Sequence, residues 1–430
     1  MWRFALLFGC ATSAMAQEIS DLRGHGGPVM DLEVSGDGRH VLSASFDNSV
    51  GLWSLATGEV VWLEGHAAAV KSVAFLGPDR AASGGDDFAI QLWDLTHGTV
   101  LYRLSGHQGQ VKDLALAPDG RTLASAGWGG AIGLWDVESG AHIAWLKGHS
   151  AAVNAVDWID ATTLVSGSAD GTLRTWDTAH QTQTRVLIRH GFGVTTLLVN
   201  REAGWLVYGA LDGGTRVIDL ASDAVLADLT LDRRPVLDIA ARQDFSQIAV
   251  GDDEGHIMVV DTANWRILHD FRAAKRGPIW ALAYDAGGGA LVAGGIDDTA
   301  HVWPIGQKSD GPIMSKAERS FLKDPDAMSN GERQFARKCS ICHSLTEDGM
   351  RRAGPTLAGL FGRKAGTLEG YLYSDTVATA DIIWSDETID LLFDLGPDHY
   401  IPGSKMPMQR ITNPADRADL IAYLRENTKG

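Results

Sequence analysis

The sequence predicts a multidomain chain, an all-β repeat array followed by an all-α domain, and three observations predict it. A unit of about 41 residues recurs seven times before residue 305. Within each unit, apolar and polar residues alternate in short runs broken by Gly and Asp, the pattern of half-buried strands. Beyond residue 328 the period becomes helical, and there stands "KCSICHS", Lys338 to Ser344, with two of the chain's three cysteines.

A chain of 430 residues exceeds one ordinary core, so two domains are expected. Gly 50 and Trp 14 are both high, which suits many tight turns around a β-rich core. The formal charge of −17 argues against nucleic acid, whose phosphates need Lys and Arg.

The opening "MWRFALLFGCATSAMA" reads as a signal peptide over residues 1–16. Arg3 supplies the positive end, Phe4 to Cys10 the apolar stretch and Ala14-Met15-Ala16 the cleavage site. The alternative is a lipid anchor on Cys10. The expected mature chain starts at Gln17, is exported to a bacterial periplasm and carries no segment long enough to span a membrane. Cleavage leaves Cys339 and Cys342 as its cysteines.

The seven units end at Trp53, Trp93, Trp135, Trp176, Ile218, Val260 and Trp303, spaced 40 to 43 residues apart. Gly24-His25, Gly65-His66, Gly106-His107, Gly148-His149 and the weaker Arg189-His190 lie upstream of the first five. Six positions before the terminal residue stand Asp47, Asp87, Gly129, Asp170, Asp212, Glu254 and Asp297; ten before stand Ser43, Ser83, Ser125 and Ser166. On these residues the region resembles the WD-repeat family, most specifically in units one to four. The resemblance implies a seven-bladed β-propeller over residues 17–305. It also implies Asp-His-Ser-Trp hydrogen-bonded chains, complete in blades one, two and four. After Trp303 no alternating strand remains to finish blade seven, so residues 18–23 are expected to supply its outer strand. The Gly-His histidines fall one per blade and so do not converge as metal ligands would.

Residues 306–328 read as a linker, with one short helical stretch in "MSKAERSFL". Past it, Cys-x-x-Cys-His is the attachment signature of haem c: two thiols one turn apart form thioethers to the two vinyl groups and the next imidazole reaches the iron. No further cysteine is left for a zinc ribbon, and a thioredoxin-like βαβ context is absent.

"SNGERQFARKCSICH", "AGPTLAGLFGRKAG", "IIWSDETI", "YIPGSKM" and "ADRADLIAYL" together resemble class I cytochrome c of the mitochondrial type, over residues 329–430. The resemblance implies one covalent haem c on Cys339 and Cys342, with His343 and Met406 as axial iron ligands. Met408 and His399 are the alternatives to Met406. Pro355 would orient the proximal imidazole through its carbonyl. Arg363, Tyr373 and Trp384 would lie near the propionates, and Ser404 on the distal side. A capping box at Ser329 and Glu332 would start the first helix, and a last helix from about Asp416 would cross it at Gly331.

Phe393 replaces a tyrosine near the distal methionine, which is expected to alter the reduction potential. Asp398 and His399 replace lysines at the haem edge. Residues 327–430 hold 12 basic and 14 acidic side chains, so the basic ring that steers mitochondrial relatives is largely missing, whereas residues 17–326 hold 24 and 40.

The expected function is an exported mono-haem electron carrier rather than an enzyme, its propeller a docking scaffold for a partner oxidoreductase. Two alternatives stand beside it. One is an oxidoreductase whose propeller holds a second cofactor or metal, to be sought near His256, His269 and His301. The other is a redox or gas sensor in which Met406 is displaced.

Overall fold

The computed structural model describes residues 21–230, 234–274, 277–305, 328–340, 342–347, 352–371, 373–402, 404, 406 and 409–429. Residues 1–20 and 306–327 lie outside them, and with them the signal peptide, Cys10 and most of the linker.

Seven four-stranded antiparallel sheets make the first architecture. In blade one the order from inside outwards is β2 (Val29–Val34), β3 (His40–Ser45), β4 (Ser49–Ser54) and β5 (Val60–Glu64). The inner strands touch in sequence around the ring, and β26 (Ile279–Tyr284) returns to β2. This is the seven-bladed propeller.

Closure works as expected. β1 (Leu22–Arg23) pairs with β28 (Thr299–Pro304), placing Leu22 opposite Ala300, so the start of the described chain supplies blade seven's outer strand. His301 Nδ1 and Nε2 meet Asp21 and Asp297, each at 3.3 Å, and Asp21 accepts from the Val302 amide. Against the downward pull of burial, the two carboxylates hold His301 up at about 9. Against the upward pull of burial, His301 and the Val302 amide hold Asp21 down at about 2. The seam is both a strand pairing and an ionic clasp.

Inside the blades, the expected hydrogen-bonded chains are present. In blade one His25 Nδ1 lies 3.1 Å from Asp47, its Nε2 2.6 Å from Ser43 Oγ, and Trp53 Nε1 donates to Ser43 at 2.7 Å. Blade two repeats this with His66, Asp87, Ser83 and Trp93, and blade four with His149, Asp170, Ser166 and Trp176. Each chain satisfies polar groups that burial would otherwise penalise by about 1–3 kcal/mol apiece. The histidines are thereby used one per blade in structural work.

Two blades are variations. Blade three has Gly129 for the aspartate; His107 keeps only Ser125, at 2.7 Å, packs its ring edge-on to Trp145, and is pulled down to about 4 by burial and by His142. In blade five Tyr208 stands where Ser is expected, and the imidazole is reversed: His190 Nδ1 meets Tyr208 Oη at 3.1 Å and Nε2 meets Asp212 at 2.8 Å.

All seven inner strands carry a register shift at the same place, from Val29/Asp31 in blade one to Ile279/Ala281 in blade seven. Inner strands are sheet edges, so their outward amides lack a ladder partner. Carboxylates supply it. Asp31 accepts from Leu32 N and from Val73 N in the next blade, both at 2.8 Å. Asp113 serves Leu114 and Val156, and Asp238 serves Ile239 and Leu282. Asp157 likewise accepts from Trp158 N and from Val199 N in blade five, so four aspartates staple all seven inner strands.

The second architecture is helical: α1 (Asn330–Lys338), α2 (Asp375–Ala378), α3 (Asp386–Leu395), α4 (Pro397–Tyr400) and α5 (Pro414–Asn427). Ser329 Oγ accepts from Glu332 N, capping α1 as expected. The last helix starts two residues before the expected Asp416, because Asn413 caps it and Pro414 takes a first-turn position where no amide is needed. The two helices cross at Gly331, where a Cβ would lie 2.2 Å from the Asp419 carbonyl oxygen. Arg417 ties α5 to α3 by ion pairs to Asp390 at 2.7 Å and Asp394 at 3.0 Å. Phe335, Leu360, Leu392, Phe393, Leu420 and Leu424 anchor one core. Among the described residues no helix is long and apolar enough to cross a membrane.

Candidate haem site

The site begins where α1 ends. The Cys339 amide donates to Phe335 O, and the amides of Cys342 and His343 both return to the Cys339 carbonyl, at 3.0 and 2.8 Å. This tight turn gathers both thiols and the imidazole at one helix end. Burial pushes both thiols up to about 12, so they are neutral in the unmodified chain. A redox dithiol or a zinc site wants the opposite, a thiolate stabilised by nearby positive charge.

His343 Nδ1 lies 2.7 Å from the Pro355 carbonyl oxygen, the partner expected for it. A carbonyl only accepts, so Nδ1 carries the proton and Nε2 presents its lone pair. Burial keeps the imidazole neutral by pulling its pKa down, although the Pro355 hydrogen bond opposes this. Neutral imidazole with a free Nε2 is the form that ligates iron.

The loop that holds Pro355 is fixed residue by residue. Tyr371 Oη donates to Ala353 O, Gly354 N donates to Cys342 O at 2.8 Å, and Leu357 N donates to Ser344 O at 2.8 Å. Arg363 donates to Thr356 O and Ala358 O, both at 2.8 Å. Arg363 therefore braces the proximal loop through two carbonyls, a role the sequence did not single out. A Cβ at Gly354 would lie 2.3 Å from the His343 ring, so only glycine lets this loop lie against the imidazole. Gly354 and Tyr371 were missed as site residues. The signal for both was present in the tight "AGPT" run and the paired tyrosines, but it becomes legible only once the loop faces the histidine.

The remaining expected residues fall around the same core. Trp384 is joined to Arg363 through the backbone: Trp384 N donates to Arg363 O at 3.0 Å, and Gly362 N to Trp384 O at 2.9 Å. Tyr373 packs edge-on to Tyr371 at 4.8 Å, and burial raises its phenol pKa against the pull of the Arg363 charge. Tyr373, Trp384 and Met406 are all partly buried against the helical core. Ser404 N donates to Ile401 O at 3.1 Å. Met408 lies outside the described residues, and His399 is exposed. Two thiols, a neutral imidazole with Nε2 free and a methionine on the same apolar core fit a covalently attached haem c.

The ring offers a second place to look. Its channel holds a cavity of about 460 Å³ lined by Asp31, Glu33, Lys71, Lys112, Asp238 and Trp280 among others. The carboxylates there are engaged with backbone amides, Glu33 with Phe75 N in addition to the aspartates above. His301 is clasped in blade seven, and His256 lies 3.8 Å from Asp252 in blade six. Among the described residues no three His, Cys, Asp or Glu side chains are arranged to hold a metal ion.

Comparison with known proteins follows the two architectures. The cytochrome c family profile matches residues 328–428. The profile "WD domain, G-beta repeat" matches residues 16–54, 58–94, 98–136, 140–177 and 265–304, so blade seven keeps more of the repeat pattern than its sequence suggested. Cytochrome c of Sesamum indicum is 44% identical over 105 residues, which are 24% of this chain and 93% of that protein. Cytochrome c of Cannabis sativa is 43% identical over 111 residues, 25% of this chain and 98% of that one. Cytochrome c of Chlamydomonas reinhardtii is 41% identical over 101 residues, 24% and 89% respectively. Through its C-terminal domain, which carries a covalently attached haem c for electron transfer, the chain belongs to the cytochrome c family, and its N-terminal part is a seven-bladed WD-repeat propeller.

Proposed function

We propose that this protein is a periplasmic, exported carrier of single electrons, with a propeller that docks the cytochrome domain's partner oxidoreductase. In this reading Cys339 and Cys342 would hold the haem covalently, and His343 and Met406 would ligate its iron. Pro355, Arg363, Tyr373, Trp384 and Ser404 form the surroundings. Haem c so held would supply reversible one-electron transfer. The observation that carries the reading is the His343 Nδ1 to Pro355 contact, which leaves Nε2 free beside two thiols.

The chain's own residues do the rest. Pro355 fixes the tautomer and orientation of His343, and Arg363 and Tyr371 keep Pro355 in place. The apolar core keeps water away from the ligands. Export rests on the first sixteen residues. Docking rests on the frequent use of WD propellers as protein-interaction platforms and on the −2 balance of the cytochrome region, too weak to steer a partner alone. A scaffold that raises local partner concentration offsets that weakness.

The test is co-capture from native periplasm with the tagged full-length holoprotein, followed by rapid mixing. Recovery of an oxidoreductase that reduces or oxidises the haem supports the reading. Recovery of none contradicts the docking half and leaves the carrier half to potentiometry.

A further inference from the structure

The two faces of the propeller differ. Each blade's turn between its second and third strands, and the loops joining blades, lie on one face; the other turns lie opposite. In the described propeller, the large apolar side chains exposed on turns or loops are Phe88, Trp128, Phe192 and Leu211, and all four lie on the first face. Their exposures of 47, 51, 52 and 50% are too high for packing roles. The opposite-face turns have amide-holding carboxylates, such as Asp94, Asp136, Asp177 and Asp219, as the first-face turns do at Asp47 and Asp170, but among the described residues they have no exposed large apolar side chain. β28 starts beside Asp297 on the first face and ends at Pro304 on the opposite one, so the chain leaves the ring away from the aromatic side.

Three of these side chains, Trp128, Phe192 and Leu211, stand along blades three to five, with small residues between them. The Trp128 turn packs on Gly109, Gly130 lies against Ala151, and Gly193 sits between Ala169 and Leu211. Lys147 and Arg189, both exposed, end the outer strands of blades three and four on the same face. Among the described residues neither has a carboxylate within ion-pair reach, whereas neighbouring Arg103, Arg174 and Arg216 are paired with Asp87, Asp170 and Asp228. In a ring with 36 acidic and 20 basic residues over 17–305, two unpaired cations beside exposed aromatics are conspicuous. In blade two, Phe88 holds φ +62°, where blades three to six have glycine. A bulky residue there strains the backbone, and Phe88 stays 47% exposed.

We infer that Trp128, Phe192 and Leu211, flanked by Lys147 and Arg189, are the docking patch for a protein partner whose contact surface is apolar at its centre and rich in carboxylates at its rim. Exposed aromatics beside free cations match the composition of interface hot spots, and charge complementarity selects the partner's rim. This inference rests on the docking reading above and gives it a face, a set of blades and a partner chemistry.

The test pans a phage-displayed random dodecapeptide library against the full-length holoprotein at low and moderate salt. Enriched peptides should carry Asp or Glu around Trp, Phe or Leu. They should bind the Trp128→Ala/Phe192→Ala and the Lys147→Glu/Arg189→Glu proteins at least about tenfold more weakly. Melting curves establish that these exposed substitutions leave the fold intact. Peptides without acidic bias, or with undiminished affinity for both variants, overturn the patch. Peptides lost instead on Arg121→Glu, on the opposite face, overturn the patch while leaving the docking reading standing. A library that yields no binder also overturns the patch, and the docking reading is then decided by the co-capture experiment alone.

Discussion

The imidazole of His343 and the carbonyl of Pro355, 2.7 Å apart, are held in register by a glycine that tolerates no side chain. Gly354 lies flat against the ring that its neighbour Pro355 orients. Gly354→Ala should therefore displace the imidazole or the loop, costing about 1–3 kcal/mol of cytochrome-domain stability by overpacking. In the holoprotein it should also weaken the near-infrared methionine-to-iron charge-transfer band, read by absorbance.

The crossing of α1 and α5 makes a second prediction. Any Cβ at Gly331 meets the Asp419 carbonyl, a backbone atom that cannot swing aside. Gly331→Ala should lower the unfolding free energy of the helical domain by about 2–3 kcal/mol, read as a lower denaturant midpoint, and leave the propeller's transition in place.

The ring's seam is pH-sensitive at its extremes. His301 is held at about 9, above its ordinary 6.5, so its contribution is full below pH 6.5 and is lost as pH rises through 9. Asp21, at about 2 against an ordinary 3.8, contributes above 3.8 and fails as pH falls through 2. His301→Gln should cost about 3 kcal/mol at pH 6, by leaving Asp297 and Asp21 without their partner. The difference from the parent should shrink near pH 10, and proteolysis should begin at the freed N-terminal strand.

The channel carboxylates, unlike Asp21, lose their contribution as pH rises. Burial pushes Asp31 up to about 6, Asp113 to about 7 and Glu33 to about 8. A raised carboxyl binds more protons folded than unfolded, so stability should decline as pH rises from about 4 to 8. Asp31→Asn should flatten that slope. Because an amide has only one accepting oxygen, it should also cost about 1–2 kcal/mol by orphaning Leu32 N or Val73 N. Thermal melts across this range check both.

What the sequence made legible follows from where each constraint sits. The chains through Ser43, Ser83 and Ser166 were readable because each needs fixed residue types at fixed offsets within one blade. Blade seven's outer strand was readable because "EISDLRGH" repeats the text before later Gly-His pairs. The double role of Asp31 was not, since its second partner, Val73 N, is a backbone group in the next blade and leaves no trace in residue type. The reversed His190 escaped for another reason: Tyr208 occupies the serine position, and only its longer reach turns the ring. In the cytochrome region the proposed ligands His343 and Met406 stood out through their motifs. The bracing by Arg363 and Tyr371 runs to carbonyls of residues 353, 356 and 358, and a carbonyl looks the same whatever side chain accompanies it.

The central claim is a single haem with His343 and Met406 as ligands, passing one electron at a time. It is tested most directly by spectroelectrochemical titration of the full-length holoprotein beside Met406→Ala. The parent should show one Nernstian one-electron wave and a low-spin spectrum with the methionine charge-transfer band, and the variant should lose that band and fall to a lower potential. A high-spin haem in the parent, a second redox wave, or a variant indistinguishable from the parent would contradict it.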